Sequence, residues 1–200
     1  MSGWLRNQTW SKYSKILMVV MLFAMVTACS KQMEQEKSLF IKPSEFSAET
    51  QEILKIMEDE IYFFDYSVDE TIKSMRIDIW AYENGAWTGT GNTYGNLEHE
   101  HGRIAFRMND ATYDIFEFSE TGHVKTSYKS TVDFDECVTK IASTLQHSTE
   151  IKPGKEIVLS VKLGYNTLQA VSPGATSYFR EADCDRGLAV TAIFSTETVE

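Results

Sequence analysis

His99 and His101 stand in the run NLEHEHG, between Glu98 and Glu100. On an extended chain alternate residues share a face, so both imidazoles can reach one divalent ion. His123 is the nearest further ligand in sequence. We read the run as a solvated polar loop, with a weak divalent-metal site, or an enzyme site built on these histidines, as the alternative. Trp80, Tyr82 and Trp87 flank Asn84-Gly85. In a two-residue hairpin turn Glu83 faces Ala86 and Tyr82 faces Trp87, and directly opposed residues share a sheet face. The three rings then cluster on one side. Left open, they form a platform for a sugar ring or a protein partner. The expectation is that they are covered or partly covered, by a helix over 48–59 or by a loop. Cys137 and Cys184 either form a disulfide, worth about 4 kcal/mol in the chain-entropy model, or remain free thiols.

Other chemistry is poorly represented. The acids Asp65, Asp69, Asp78, Asp110, Asp114, Asp133 and Asp135 are scattered, and no stretch matches a twelve-residue calcium loop. GTGNTYGN has strand-like sequence on both sides, which suits a turn or bulge, whereas a phosphate loop opens a helix. No G-x-S-x-G, S-x-x-K or H-E-x-x-H motif is present.

The elements that must position these residues are mostly strands. IKSMRIDIWAY, residues 72–82, alternates Met75, Ile77 and Ile79 against Arg76, Asp78 and Trp80. RIAFRM alternates Ile104, Phe106 and Met108 against Arg103, Ala105 and Arg107. IYFFDYSV, WTGTG, TYDIFEF, HVKTSY, EIVLSVKL and LAVTAIF bring the total to about eight strands, separated by turn residues such as Pro153-Gly154. The fold class is mainly β: an antiparallel β-sandwich, with an immunoglobulin-like arrangement as one option, preceded by a short helix. That helix is expected at 48–59, with Ser47 as N-cap and a stripe of Ile53, Leu54, Ile56 and Met57. Residues 133–145 place Val138, Ile141, Ala142 and Leu145 at helical spacing, with a further strand as the alternative.

The start of the chain is different in kind. The first fifteen residues carry Arg6, Lys12 and Lys15 and no acid, and Ile16 to Val26 is unbroken apolar sequence. At ~1.5 Å per residue this run is too short to span a ~30 Å hydrocarbon core. A basic head, a short apolar core and a small-residue exit are the parts of an export signal. The exit, Val26-Thr27-Ala28-Cys29, resembles the lipobox of bacterial lipoproteins. The resemblance covers residues 1–29. It implies recognition of Val26, Thr27 and Ala28, diacylglycerol on the Cys29 thiol, cleavage before Cys29, and a mature chain on the extracytoplasmic face of the cell membrane. The globular part is also similar to small, uncharacterised lipoproteins of Gram-positive bacteria, through IKPGKEIVLSVKLG and the terminal AVTAIFSTE, and that likeness carries no activity.

Three segments follow: a signal peptide at 1–28, a lipidated N-terminus and polar tether at 29–44, and a single sandwich domain with its N-terminal helix at 45–200. Cleavage takes three of the 19 basic residues and none of the 29 acids, which leaves a formal charge near −13. Such a surface repels nucleic acid and anionic lipid. A two-lobed solute-binding lipoprotein would need alternating strands and helices. The expected role is a membrane-anchored, non-catalytic module for a protein or glycan partner, with no cofactor besides the lipid.

Overall fold

The turn at Asn84-Gly85 sets the longest hairpin. In the computed structural model Asn84 has φ 54° and Gly85 φ 84°, the left-handed pair that matches a two-residue turn to the twist of its strands. It joins β3 (Ser74–Glu83) to β4 (Ala86–Asn96), with Glu83 opposite Ala86 and Tyr82 opposite Trp87. The structure describes residues 39–56, 60–108, 112–119, 122–168 and 178–200. The signal peptide, Cys29, residues 30–38 of the tether and the predicted helix end at 57–59 lie outside the described residues.

Around this hairpin run β1 (Phe40–Pro43), α1 (Ala48–Ile56), β2 (Glu60–Ser67), β5 (His101–Met108), β6 (Thr112–Ser119), β7 (Gly122–Lys129), β8 (Thr139–Thr144), β9 (Thr149–Glu150), β10 (Glu156–Tyr165) and β11 (Arg186–Ser195). The described residues thus form eleven strands where about eight were expected. They make a six-stranded sheet of order β7-β6-β5-β2-β1-β9 and a five-stranded sheet of order β4-β3-β11-β10-β8. Every pairing is antiparallel. This order differs from the four-plus-three arrangement of an immunoglobulin constant domain.

The core is what alternation dictates. Ile41, Phe64, Ile104, Phe106 and Ile115 of the larger sheet meet Met75, Ile77, Ile79, Val190 and Phe194 of the smaller. Tyr66 and Phe194 touch across the gap with ring centroids 5.6 Å apart. β10 departs from strict alternation. A bulge between Val158 and Ser160 shifts its register, so Ile157 and Leu159 join this core while Val161, Leu163 and Tyr165 turn to the other face. A bulge changes which side the following residues face. The five-stranded sheet is therefore apolar on both faces, and its outer face must be covered.

One bound is corrected and two open readings are decided. Phe40–Pro43, assigned to the tether, pair with β2 and β9, because Ile41 has a fully buried place in the core. Residues 133–145 are a turn and a strand. Asp133 Oδ1 accepts the Asp135 amide at 2.8 Å, and the Val138 amide donates to Tyr165 O at 2.8 Å, where pairing with β10 begins. Ile141 then packs on the outer face, and β-branched Thr139, Ile141 and Thr144 suit a strand. Lastly, α1 starts where Ser47 Oγ accepts the Thr50 amide at 3.3 Å, but none of its side chains is buried, and Ile53 and Ile56 are 60% and 78% exposed.

Candidate functional site

The cluster of Trp80, Tyr82 and Trp87 forms as the hairpin predicts, on the outer face of the five-stranded sheet. Its cover is neither α1 nor a neighbouring strand. A 3-10 turn at Phe179–Glu181, with Ala182 and Cys184 behind it, lies on Val161, Leu163, Tyr165 and Ala189. Phe179 meets Trp87 edge-on at 4.6 Å, and Trp87 meets Tyr82 at 5.4 Å. The indole of Trp87 lies over Gly187, where an added Cβ would come 2.5 Å from Cη2. A side chain at position 187 would therefore displace the ring. Trp87 Nε1 is buried without a partner among the described residues.

A side-chain fork helps to fasten the cover. Arg180 grips Glu156 with two bonds, Nη1 to Oε2 at 2.5 Å and Nη2 to Oε1 at 2.9 Å. Its guanidinium also lies 4.3 Å from the Trp80 ring centre and 4.4 Å from that of Phe179. Thr191 Oγ1 donates to Glu156 at 3.0 Å and accepts from Trp80 Nε1 at 3.1 Å. The Arg180 bonds, outweighing desolvation and helped by Thr191, hold the Glu156 carboxyl below its ordinary range. The three aromatics remain partly exposed. Ring stacking is the contact that this face offers a partner.

The outer face of the six-stranded sheet carries a second arrangement. Register aligns Lys42, Asp65, Arg103, Phe118 and His123 across the sheet, then Phe63, Ala105, Phe116 and Lys125, then Ile61, Arg107, Asp114 and Ser127. Phe46 stands edge-on to Phe63 at 5.1 Å, under the Arg103 guanidinium at 5.0 Å. Both acids are bound. Arg103 donates to Asp65 at 2.6 and 3.2 Å, and Ser44 adds a bond at 2.8 Å. Asp114, 1% exposed, accepts from Arg107 at 2.6 Å, Lys125 at 3.0 Å and Ser127 at 2.7 Å. Desolvation raises both carboxyl pKa values, and these bonds more than reverse it, so each ends below its ordinary value.

The histidines do not converge. His99 and His101 are exposed, and His101 opens β5 opposite Ser67. His123 lies on β7, two strands away in the sheet order, against Phe118 at 5.7 Å. Among the described residues no three His, Cys, Asp or Glu side chains are placed to hold a metal ion. Cys137 and Cys184 are free, buried thiols. The Cys137 sulfur sits against Gly164, on the face of β10 opposite Leu163 and Tyr165, whereas Cys184 packs with those two residues. Desolvation, with Asp183 and Asp185 nearby, pushes the Cys184 thiol up to about 12. A protonated, buried thiol is unreactive.

Arg180 and Glu156 carry no pattern in the sequence that marks them, because their meeting depends on how the cover folds back. The rows of the larger sheet are half visible: RIAFRM puts Arg103 and Arg107 on one side, but which strand lies beside them is a matter of register. No protein-family model, no curated protein and no solved structure matches the chain. The described fold is a mainly β, two-sheet sandwich with one short α-helix.

Proposed function

We propose that the protein is a lipoprotein, held on the extracytoplasmic face of the cell membrane by diacylglycerol on Cys29, and that its sandwich is a non-catalytic module for a protein or glycan partner. The location rests on Val26-Thr27-Ala28-Cys29 at the end of a short apolar segment. The binding role rests on one observation: Trp80, Tyr82 and Trp87 lie together, partly exposed, on one sheet face. Aromatic rings dominate contact energy at interfaces, and their tips accept hydrogen bonds or donate them.

Mass spectrometry of the native chain tests the anchor: Cys29 is the first residue and carries diacylglycerol. A chain that still begins at Met1, or a bare sulfur, overturns it. Affinity capture from purified envelope glycans and envelope proteins tests the module. Trp80→Ala abolishes capture, and His99→Ala with His101→Ala leaves it intact. The opposite pattern would move the site to the histidine loop.

A further inference from the structure

The outer face of the six-stranded sheet is unlike the rest of this acidic chain. Phe40, Phe46, Phe63, Phe116 and Phe118 are all partly exposed there or at its rim, with Lys42, Arg103, Arg107, Lys125 and Lys129 among them. Its acids are consumed locally: Asp65 by Arg103, Asp114 by Arg107 and Lys125, and at the rim Glu45 by Lys42 and Glu150 by Lys152. Phenylalanine has no polar tip, so these rings add apolar contact without hydrogen-bonding chemistry. Lys129 and Lys125 stand exposed on β7, the edge strand of the sheet.

We propose that this face docks on the bilayer to which Cys29 is attached, with its cations on anionic lipid headgroups and its phenylalanines at the headgroup boundary. The proposal rests on the anchor reading above. Its occupant follows from chain length. Phe40 is the eleventh residue after Cys29, so the intervening chain reaches at most about 40 Å, and the chain enters the domain on this same sheet. The domain cannot leave the surface by more than roughly its own width, of the order of 30–40 Å. Tethering converts weak contacts into an intramolecular equilibrium. Apolar side chains interleaved with Lys and Arg are what an anionic interface binds. The average negative charge of the chain repels such a surface, but along the strands of this face Lys42, Arg103, Arg107, Lys125 and Lys129 stand against Asp65, Asp114 and Glu150. Docked this way, the opposite sheet, with Trp80, Tyr82 and Trp87, points away from the membrane.

The test uses full-length lipidated protein in vesicles of phosphatidylcholine alone or mixed with phosphatidylglycerol. An environment-sensitive fluorophore is placed at His123→Cys on the proposed face, or at Asn84→Cys on the hairpin tip; Cys137 and Cys184 are buried and stay unlabelled. With phosphatidylglycerol present, emission from position 123 shifts to the blue and is quenched by brominated lipid, and position 84 stays aqueous. Lys125→Gln and Lys129→Gln each lower the docked fraction about fivefold, and high salt abolishes docking. Identical behaviour of the two labels, or no dependence on phosphatidylglycerol, overturns docking. Flotation with the vesicles reports the anchor separately. A chain that floats with equivalent labels overturns docking alone, and one that stays in solution with a bare Cys29 overturns both readings.

Discussion

At the scale of single residues, close approach decides more than chemistry does. Trp87 lies flat over Gly187, and a Cβ there would come within 2.5 Å of Cη2, 2.8 Å of Cζ2 and 3.0 Å of the Tyr82 Cβ. Two of these obstacles belong to a ring packed against Phe179 and cannot swing aside freely. Gly187→Ala is therefore expected to cost about 1–3 kcal/mol, as overpacking does. Thermal melting measures the loss, and tryptophan emission should move to the red as the indole is lifted. The thiols give a second prediction. In the native mature chain neither Cys137 nor Cys184 reacts with iodoacetamide near pH 8, because both are buried and burial pushes both pKa values up. In denaturant without reductant both react; a disulfide would leave both unreacted. The turn at Asn84-Gly85 and the aromatic cluster beside it are legible in the sequence because one local turn type dictates both. The cysteine relationship is not legible, because it depends on which face of β10 each thiol reaches.

Single elements show where local pattern yields to tertiary demand. Val138, Ile141, Ala142 and Leu145 fit a helix on paper, yet the Asp133 turn delivers Val138 to Tyr165 and a free edge of β10 captures the segment as β8. Residues 40–43 look like tether until β2 offers Ile41 a place in the core. The cover at 178–185 is the least legible element, because its side-chain fork, Arg180 on Glu156, joins positions 24 apart in sequence, and the Asp185 amide reaches back to Gly164 O at 3.0 Å. The strength of the fork can be bounded. The pair is partly exposed, with Arg180 at 42%, so solvent screening leaves about 1 kcal/mol. Glu156→Gln should thus leave the sandwich folded but loosen the cover, which acrylamide quenching of Trp80 and Trp87 would report as higher accessibility. Acid should do the same to the wild type. The Glu156 pKa is lowered in the folded chain, chiefly by Arg180, so its contribution is complete above the unfolded pKa and lost as pH falls through the folded one. Quenching that did not change in Glu156→Gln would mean that the packing of Phe179 and the bond from the Asp185 amide to Gly164 O hold the cover without the fork.

Across the whole molecule two electrostatic effects act with opposite sign. The full chain carries a formal charge of −10 at pH 7, and self-repulsion among surplus acids destabilises any compact state. Among the described residues, three carboxyls bonded to cations pull the other way. Asp65 and Asp114 in the larger sheet and Glu156 in the smaller all have lowered pKa values from specific bonds. Salt separates the two effects, since exposed charges are screened within about 10 Å at 0.1 M while buried pairs are screened much less. At pH 7, moderate salt is expected to raise the melting temperature, because it relieves the surplus repulsion and spares Asp114, which is 1% exposed. On acidification the bound carboxyls win. Stability should hold down to pH values of about 5 and fall below about 4, as Asp65, Asp114 and Glu156 are forced to take up protons that their partners oppose. Asp114→Asn removes the most buried of the three. It should lower the melting temperature at pH 7 by roughly 4–8 °C, from the loss of about 2 kcal/mol of charge-assisted bonding. It should also make the acid limb shallower, because one fewer depressed carboxyl remains to titrate. A variant with an unchanged acid limb would show that Asp114 contributes nothing to acid lability, and would leave the limb to other carboxyls such as Asp65 and Glu156.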